Sequence, residues 1–466
     1  MKMKSLTHIH NRGSVLLVTL VTAAVLGITL ASYLTLVSAQ SKSVARSKHW
    51  NQSLVIAESG VEDALQMVNK FVGTPLLTTW ITTHSADNWS KSGNVYTRTG
   101  YLDATRTTYY TVSVSNQNTT LNNLVTIRST GYMPLPAGVA SGTTLTRTVV
   151  VQAQIDTIFN VAMAALGTID LNGNGIATDS FDSGDTNYSH NGYYTNTPSK
   201  RKAGGDVATN NSITNSIISV GNANIAGHLI TGPYGTYAIG PNGSVGDVPW
   251  VDAGTKGIKP GYAKNDMNVV FDPVILPSTL WLPTGSAGSP QGGSDTVIVN
   301  GISTSYSHVF TIPGDYTVSD NLSIYVGTNV NVRLKVTFNG TYSPSAIYVA
   351  GTGANAGTMS AYLTGTGATL NTAHKTQSGK AANMAFYGLP SMIDLKYAGN
   401  GEFTGVIYAP DAVFTLNGGG SSTLDFIGSS VTKTVKMNGH YHFHYDENLK
   451  KNGPNDGYKA IAWKEL

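Results

Sequence analysis

The clearest pattern in the chain is a block without charge. From Gly13 to Ser41 there is no Asp, Glu, Lys or Arg, and Ser14 to Ala39 is mostly Val, Leu, Ala, Thr and Ile. A hydrocarbon core about 30 Å thick needs roughly 20 helical residues, whereas a cleaved secretory segment holds only about 7–15 apolar ones. The block therefore predicts a membrane-spanning helix. From Lys42 to about Phe71 charged and polar residues alternate with Leu54, Val61, Leu65 and Val68, spaced by seven, four and three positions. That stripe predicts that the helix continues and packs one face on a sheet. The Glu62–Asp63 pair has no evident partner and reads as a solvated face rather than an acid/base dyad.

Beyond the helix the period shortens to two. Tyr110–Val114, Val125–Ser129 and Leu145–Ile155 alternate β-branched or aromatic residues with polar ones, which predicts three strands. Asn116–Asn123 and Gly131–Gly142, the latter with Pro134 and Pro136, read as loops. After Phe159 short β-rich runs are punctuated by Gly and Asn, with no convincing amphipathic helix. Leu171-Asn172-Gly173, Leu416-Asn417-Gly418 and Met437-Asn438-Gly439 recur at run ends, the last two 21 positions apart. That interval suits one coil of a parallel β-helix, in which each coil covers the apolar face of the next. Ile217–Gly227 has the same character, with Gly at tight corners and Asn side chains placed to bond along the stack. A β-sandwich is the alternative architecture. The domain boundaries expected are a leader at 1–13, a helix at 14–72, an antiparallel sheet at 73–157, a β-helix at 158–447 and a tail at 448–466 outside the last coil.

Composition narrows the function classes. Charged residues make up 12% of the 466, about half the usual share, while there are 51 Gly. With 41% hydrophobic residues and a formal charge of +3 the chain has the means to fold, and 29 basic against 26 acidic residues leave no electrostatic footprint for nucleic acid. There are 0 Cys, hence no disulfide framework, thiolate metal site or Cys nucleophile. Lys2, Lys4 and Arg12 flank the apolar block on one side and Lys42, Arg46 and Lys48 on the other, so the positive-inside rule alone does not orient it. The weakly charged, Gly/Asn/Thr-rich β region has the character of an exported product, which places the N-terminus in the cytoplasm.

Candidate chemistry is sparse. Alternation along a strand puts His440, His442 and His444 on one face, neighbours roughly 7 Å apart; three imidazoles can hold zinc, but the outer two diverge from one ion, and polar stacking on a terminal strand is the preferred reading. Asp179, Asp182 and Asp185 offer oxygen ligands for calcium without the spacing of an EF-hand loop, and read as turn residues. No nucleophile elbow, His-Glu-x-x-His helix or Walker loop occurs. The expectation is a protein with no catalytic residues, no cofactor and no metal.

Arg12-Gly13-Ser14-Val15-Leu16-Leu17, the apolar helix behind it, and Ala57-Glu58-Ser59-Gly60-Val61-Glu62-Asp63-Ala64 resemble PilX-like minor pilins of type IV pilus systems. The resemblance covers about the first 70 residues. It implies leader cleavage by a prepilin peptidase between Gly13 and Ser14, and a helix that rests in the inner membrane before packing with other pilin or pseudopilin subunits in a filament core. Val18 stands at mature position five, where pilins carry glutamate, and Ser14 replaces the usual bulky first residue. Asp179-Ser180-Phe181-Asp182-Ser183, Gly405-Val406-Ile407-Tyr408-Ala409-Pro410 with Leu416-Asn417-Gly418, and His444-Tyr445-Asp446-Glu447 resemble the C-terminal domain often joined to such helices, which implies a right-handed parallel β-helix. The expected fold is thus mainly β: a long N-terminal transmembrane α-helix, a small antiparallel pilin-like sheet, then a right-handed parallel β-helix. The expected protein is a non-enzymatic minor pilin or pseudopilin of a type IV pilus or type II secretion-like filament, anchored in the inner membrane with its β domain periplasmic or extracellular. The alternatives are a permanent anchor that joins no filament, and a membrane-anchored carbohydrate-binding protein or polysaccharide-active enzyme.

Overall fold

A computed structural model of the chain describes residues 12–70, 89–93, 95–116, 124–140, 142–173, 175–210, 217–267, 269–284, 291–321, 323–338, 340–399, 401–418, 423–438, 440–452 and 455–466. The expected leader, apart from its last two residues, and the loop expected at Asn116–Asn123, apart from Asn116, lie outside the described residues. The chain divides into two compact units: Met1–Ile155 with Gly457–Leu466, and Asp156–Asp456.

The first unit is built on α1, a 59-residue helix from Arg12 to Lys70. Its apolar half is exposed from Val15 through Val37, and its most apolar window has a mean hydropathy of 2.4 with none of it buried. The other half docks on an antiparallel sheet of β1 (Ser90–Ser92), β2 (Val95–Tyr101), β3 (Tyr109–Asn116), β4 (Leu124–Pro134) and β5 (Thr144–Thr157), joined in that order. The three strand centres read from the alternation fall inside β3, β4 and β5. The loop expected from Gly131 does not begin there: β4 runs on to Pro134, which pairs with Thr144. Gly131 sits mid-strand because the helix passes over it, and a Cβ there would lie 2.2 Å from the Ser53 carbonyl oxygen.

That close approach also redraws the helix stripe. The buried positions are Ser53, Ile56, Ala57, Gly60, Val61, Ala64, Met67 and Val68, with Leu54 and Leu65 at the margin. Small residues occupy the contact line because a Cβ on Gly60 would meet Ser129 Oγ at 2.3 Å and the Tyr110 ring at 2.7 Å. Asp63 is no solvated residue: Arg98 Nη1 donates to it at 2.7 Å and the Tyr110 hydroxyl at 2.8 Å. Burial first, then the neighbouring Asp63 carboxylate, push the Tyr110 hydroxyl up to about 12.

The expected tail also differs. Leu449 of the short helix Leu449–Asn452 is fully buried in the core of the second unit. Asn455–Glu465 then forms a strand beside β5, with Tyr458 in the core under α1, an Arg147–Glu465 ion pair, and Leu466 N donating to the Thr148 carbonyl at 2.9 Å.

The second unit is a large, mostly parallel sheet. Its strands run in three continuous ladders. One passes through Tyr316, Leu334, Ala361, Phe386, Ile407 and Ser430. A second passes through Tyr342, Ala368, Leu395, Phe414 and Val435. The third passes through Ile347, His374, Phe403, Phe426 and Phe443. Apolar residues of all three meet in one core. Phe403, Phe426 and Phe443 stack face to face at 4.4 and 4.3 Å between centroids. The polar corners also bond between levels, Asn438 Nδ2 donating to Asn417 Oδ1 at 3.0 Å.

Spatial order does not follow chain order. Ser430 pairs with Met163, Val435 with Ile169 and Phe443 with Thr178, so 424–446 seats directly on 163–181. The chain starts this unit in the middle of the stack and winds outward through Val207 and Leu229 to Ala263. It resumes at the opposite end near Leu282 and winds back to cover its own first level. Turn-to-turn repetition in the sequence gives no sign of this closure.

Candidate functional site

Three features carry chemistry or surface for a partner. The first is the exposed half of α1. Gly13 and Ser14, the expected cleavage pair, lie in the first turn of this helix. Val18 is exposed on it together with Leu16, Leu17, Leu20 and Val21, and backbone satisfaction within one helix is what allows such a segment to enter lipid.

The second is an imidazole–carboxylate cluster in the second unit. Its strands place it: Tyr441–Asp446 pairs in parallel with Leu424–Met437 on one side and Ala177–Phe181 on the other. Alternation sends Phe443 inward and His442 and His444 outward. Register then sets Asp425 beside His442 and Asp179 beside His444. His444 Nδ1 lies 2.5 Å from Asp179 Oδ1, and its Nε2 lies 3.3 Å from Asp425 Oδ1. Tyr194 stacks on the His444 ring at 3.5 Å, and its hydroxyl donates to Asp179 Oδ2 at 2.9 Å. Arg201 donates to the same oxygen at 2.6 Å through Nε and to Asp252 at 2.9 Å through Nη1. His444 and Asp179 are buried, while the Asp425 side chain is 42% exposed.

Burial opposes the charge on both members of the central pair. For His444, attraction to Asp179 and Asp425 outweighs it and holds the imidazole above its ordinary range. For Asp179, His444 and Arg201 outweigh it and hold the carboxyl below the usual value. Burial and the neighbouring His444 push His442 down.

Of the three histidines read from the sequence, two come together and the third does not. His440 precedes the strand and donates its backbone N–H to the Gly418 carbonyl. The three aspartates also separate. Asp182 accepts from Gly184 N and pairs with Lys451, Asp185 accepts from Asn187 N, and only Asp179 joins the cluster. Asp425, Tyr194 and Arg201 were not legible as site residues, since strand register alone brings Asp425 to His442, and an irregular segment after Ala177–Phe181 brings Tyr194 and Arg201 to Asp179 and His444.

Residues 295–452 match a domain of unknown function (DUF7305). Asp425, His442 and His444 fall within that stretch, and Asp179, Tyr194 and Arg201 before it. No curated protein and no solved structure matches the chain.

A third feature is a cleft of about 330 Å³ lined by Tyr362, Tyr387, Tyr408 and the segment Asp272–Ile275. Tyr362 and Tyr387 stack at 5.1 Å, and the Tyr408 hydroxyl donates to the Asp272 carbonyl at 2.8 Å.

Proposed function

We propose that the chain is a minor pilin or pseudopilin-like subunit of a type IV filament machine, held in the inner membrane by α1 and displaying its β domain outside the cytoplasm. One observation carries this reading: a single unbroken helix whose first half is apolar and bare and whose second half docks through Ala57, Gly60 and Ala64 on an antiparallel sheet. A helix built only to anchor has no need to continue for several turns into a folded domain. A filament subunit does, because the bare half must leave the lipid and pack against neighbouring helices while the other half keeps its domain attached. In this reading the three ladders of the second unit are a right-handed parallel β-helix that serves for display, priming or adhesion, and prepilin peptidase releases residues 1–13.

The test is the N-terminus of the mature chain. In cells with an active prepilin peptidase, intact-mass measurement is expected to give a chain beginning at Ser14, and Gly13→Leu is expected to retain Met1. A wild-type chain that retains Met1 leaves a permanent membrane anchor.

The tyrosine cleft favours a second reading, a membrane-anchored carbohydrate-binding protein, since stacked aromatic faces lining a concave surface suit the apolar faces of sugar rings. Glycan-array binding abolished by Tyr387→Ala would support it.

A further inference from the structure

We propose that Asp425, His442 and His444 form a binding site for one divalent cation of the zinc class, with Asp179 as the carboxylate that orients His444. One oxygen or nitrogen from each of the three residues lies within 4.8 Å of the others, and the Asp425–His444 separation is already 3.3 Å. Ligand atoms bound tetrahedrally at about 2.0–2.1 Å lie roughly 3.3 Å from one another, so modest side-chain rotation closes the set. Two imidazoles and one carboxylate suit zinc and its neighbours better than calcium or magnesium, which prefer all-oxygen shells.

The surroundings are those of a supported ligand. Metal-bound histidines characteristically donate their other ring N–H to a carboxylate, which fixes the tautomer and turns the free lone pair toward the ion. Asp179 occupies that place on Nδ1 of His444, and is itself held by Arg201 and the Tyr194 hydroxyl. With Nδ1 facing Asp179, His444 turns Nε2 toward the Asp425 carboxylate at 3.3 Å, a gap that a proton on Nε2 fills in the free protein and that a metal ion bonded to both atoms fills in its place.

Charge points the same way. Three carboxylates, Asp179, Asp252 and Asp425, face one guanidinium, Arg201, so a dication that displaces a proton from His444 enters an acidic surround. The buried side of the cluster holds His444 rigidly between paired strands, while the exposed side, where Asp425 and His442 sit, leaves room for entry and for solvent as a fourth ligand. His440, two residues upstream, takes no part and supplies a matched control.

The experiment is a Co²⁺ titration of the full-length protein in detergent, followed by visible absorption and displacement with Zn²⁺, in a background where His8 and His10 are replaced by Gln. One equivalent of Co²⁺ should produce the intense visible bands of a four- or five-coordinate ion, and Zn²⁺ should bleach them. His442→Gln and Asp425→Asn should abolish the bands, His440→Gln should leave them unchanged, and Asp179→Asn should weaken binding 10- to 100-fold. Thermal melts of each variant without metal confirm folding, which the partly exposed positions of His442 and Asp425 favour. Absence of the bands in the wild type overturns the site, as does their survival in both His442→Gln and Asp425→Asn or their loss in His440→Gln. An ¹⁵N spectrum showing both His444 nitrogens protonated in excess Zn²⁺ also overturns it, because His444 is then an imidazolium bridging two carboxylates.

Discussion

Gly131 and His374 show how much rests on single side chains. A Cβ at residue 131 would lie 2.2 Å from Ser53 O and 2.6 Å from Ala57 N, both backbone atoms of α1 that have no rotamer to change. Gly131→Ala is therefore expected to cost the first unit about 2–3 kcal/mol by forcing helix and sheet apart, seen as faster hydrogen exchange in β3 and β4 with exchange in residues 300–446 unchanged. His374 is buried in the aromatic ladder, its Nδ1 on the Thr372 carbonyl and its Nε2 without a partner among the described residues. Burial pushes it down to about 4. The unfolded imidazole takes its proton near 6.5 and the folded one only near 4. Stability from this residue is thus complete above about pH 6.5 and falls as pH drops toward 4, by on the order of 3 kcal/mol. Asp446, pushed up to about 6 by burial, titrates in the opposite sense, its buried charge costing stability as pH rises from 4 to 6. The difference between His374→Phe and the wild type isolates the histidine: the variant should gain in relative stability as pH falls from 7.5 to 4.5, and a constant difference contradicts the assignment.

Among the elements, those with a strong period were legible and those defined by a partner were not. The apolar block, the helix beyond it and three strand centres followed from periods of 3.6 and 2. The docking line of α1 followed in part: Val61 and Val68 lie in it with Leu54 and Leu65 at its margin, but Ala57, Gly60 and Ala64 carry little hydrophobic signal and take their place by letting backbones approach. The Asn455–Glu465 strand did not follow, since its Lys, Asp and Gly residues read as a tail until Tyr458 reaches the core under α1. Deleting residues 455–466 is expected to make β1 to β5 protease-sensitive; a deletion with an unchanged cleavage pattern would show the strand to be dispensable.

For the whole molecule, the seating of 424–446 on 163–181 means that the starting level of the second unit stays uncovered until nearly the entire chain is available. The same long-range register assembles Asp179, Asp425, His442 and His444. This is why the histidine run could be seen in the sequence and its carboxylate partners could not. Val18 extends the filament reading. A pilin glutamate at that place neutralises the terminal amine of the preceding subunit, and an unpaired buried charge is costly. A subunit without that carboxylate is best tolerated where no earlier subunit stands above it, and an appended region as large as 158–447 is hard to repeat along a packed shaft. In that proposal one or a few copies cap the filament, with Val18→Glu expected to be tolerated and deletion of residues 14–40 expected to abolish assembly. Immunogold labelling of the β domain on sheared filaments tests this most directly: gold is expected at one end only, whereas gold spaced evenly along the shaft, or confined to the membrane fraction, contradicts it.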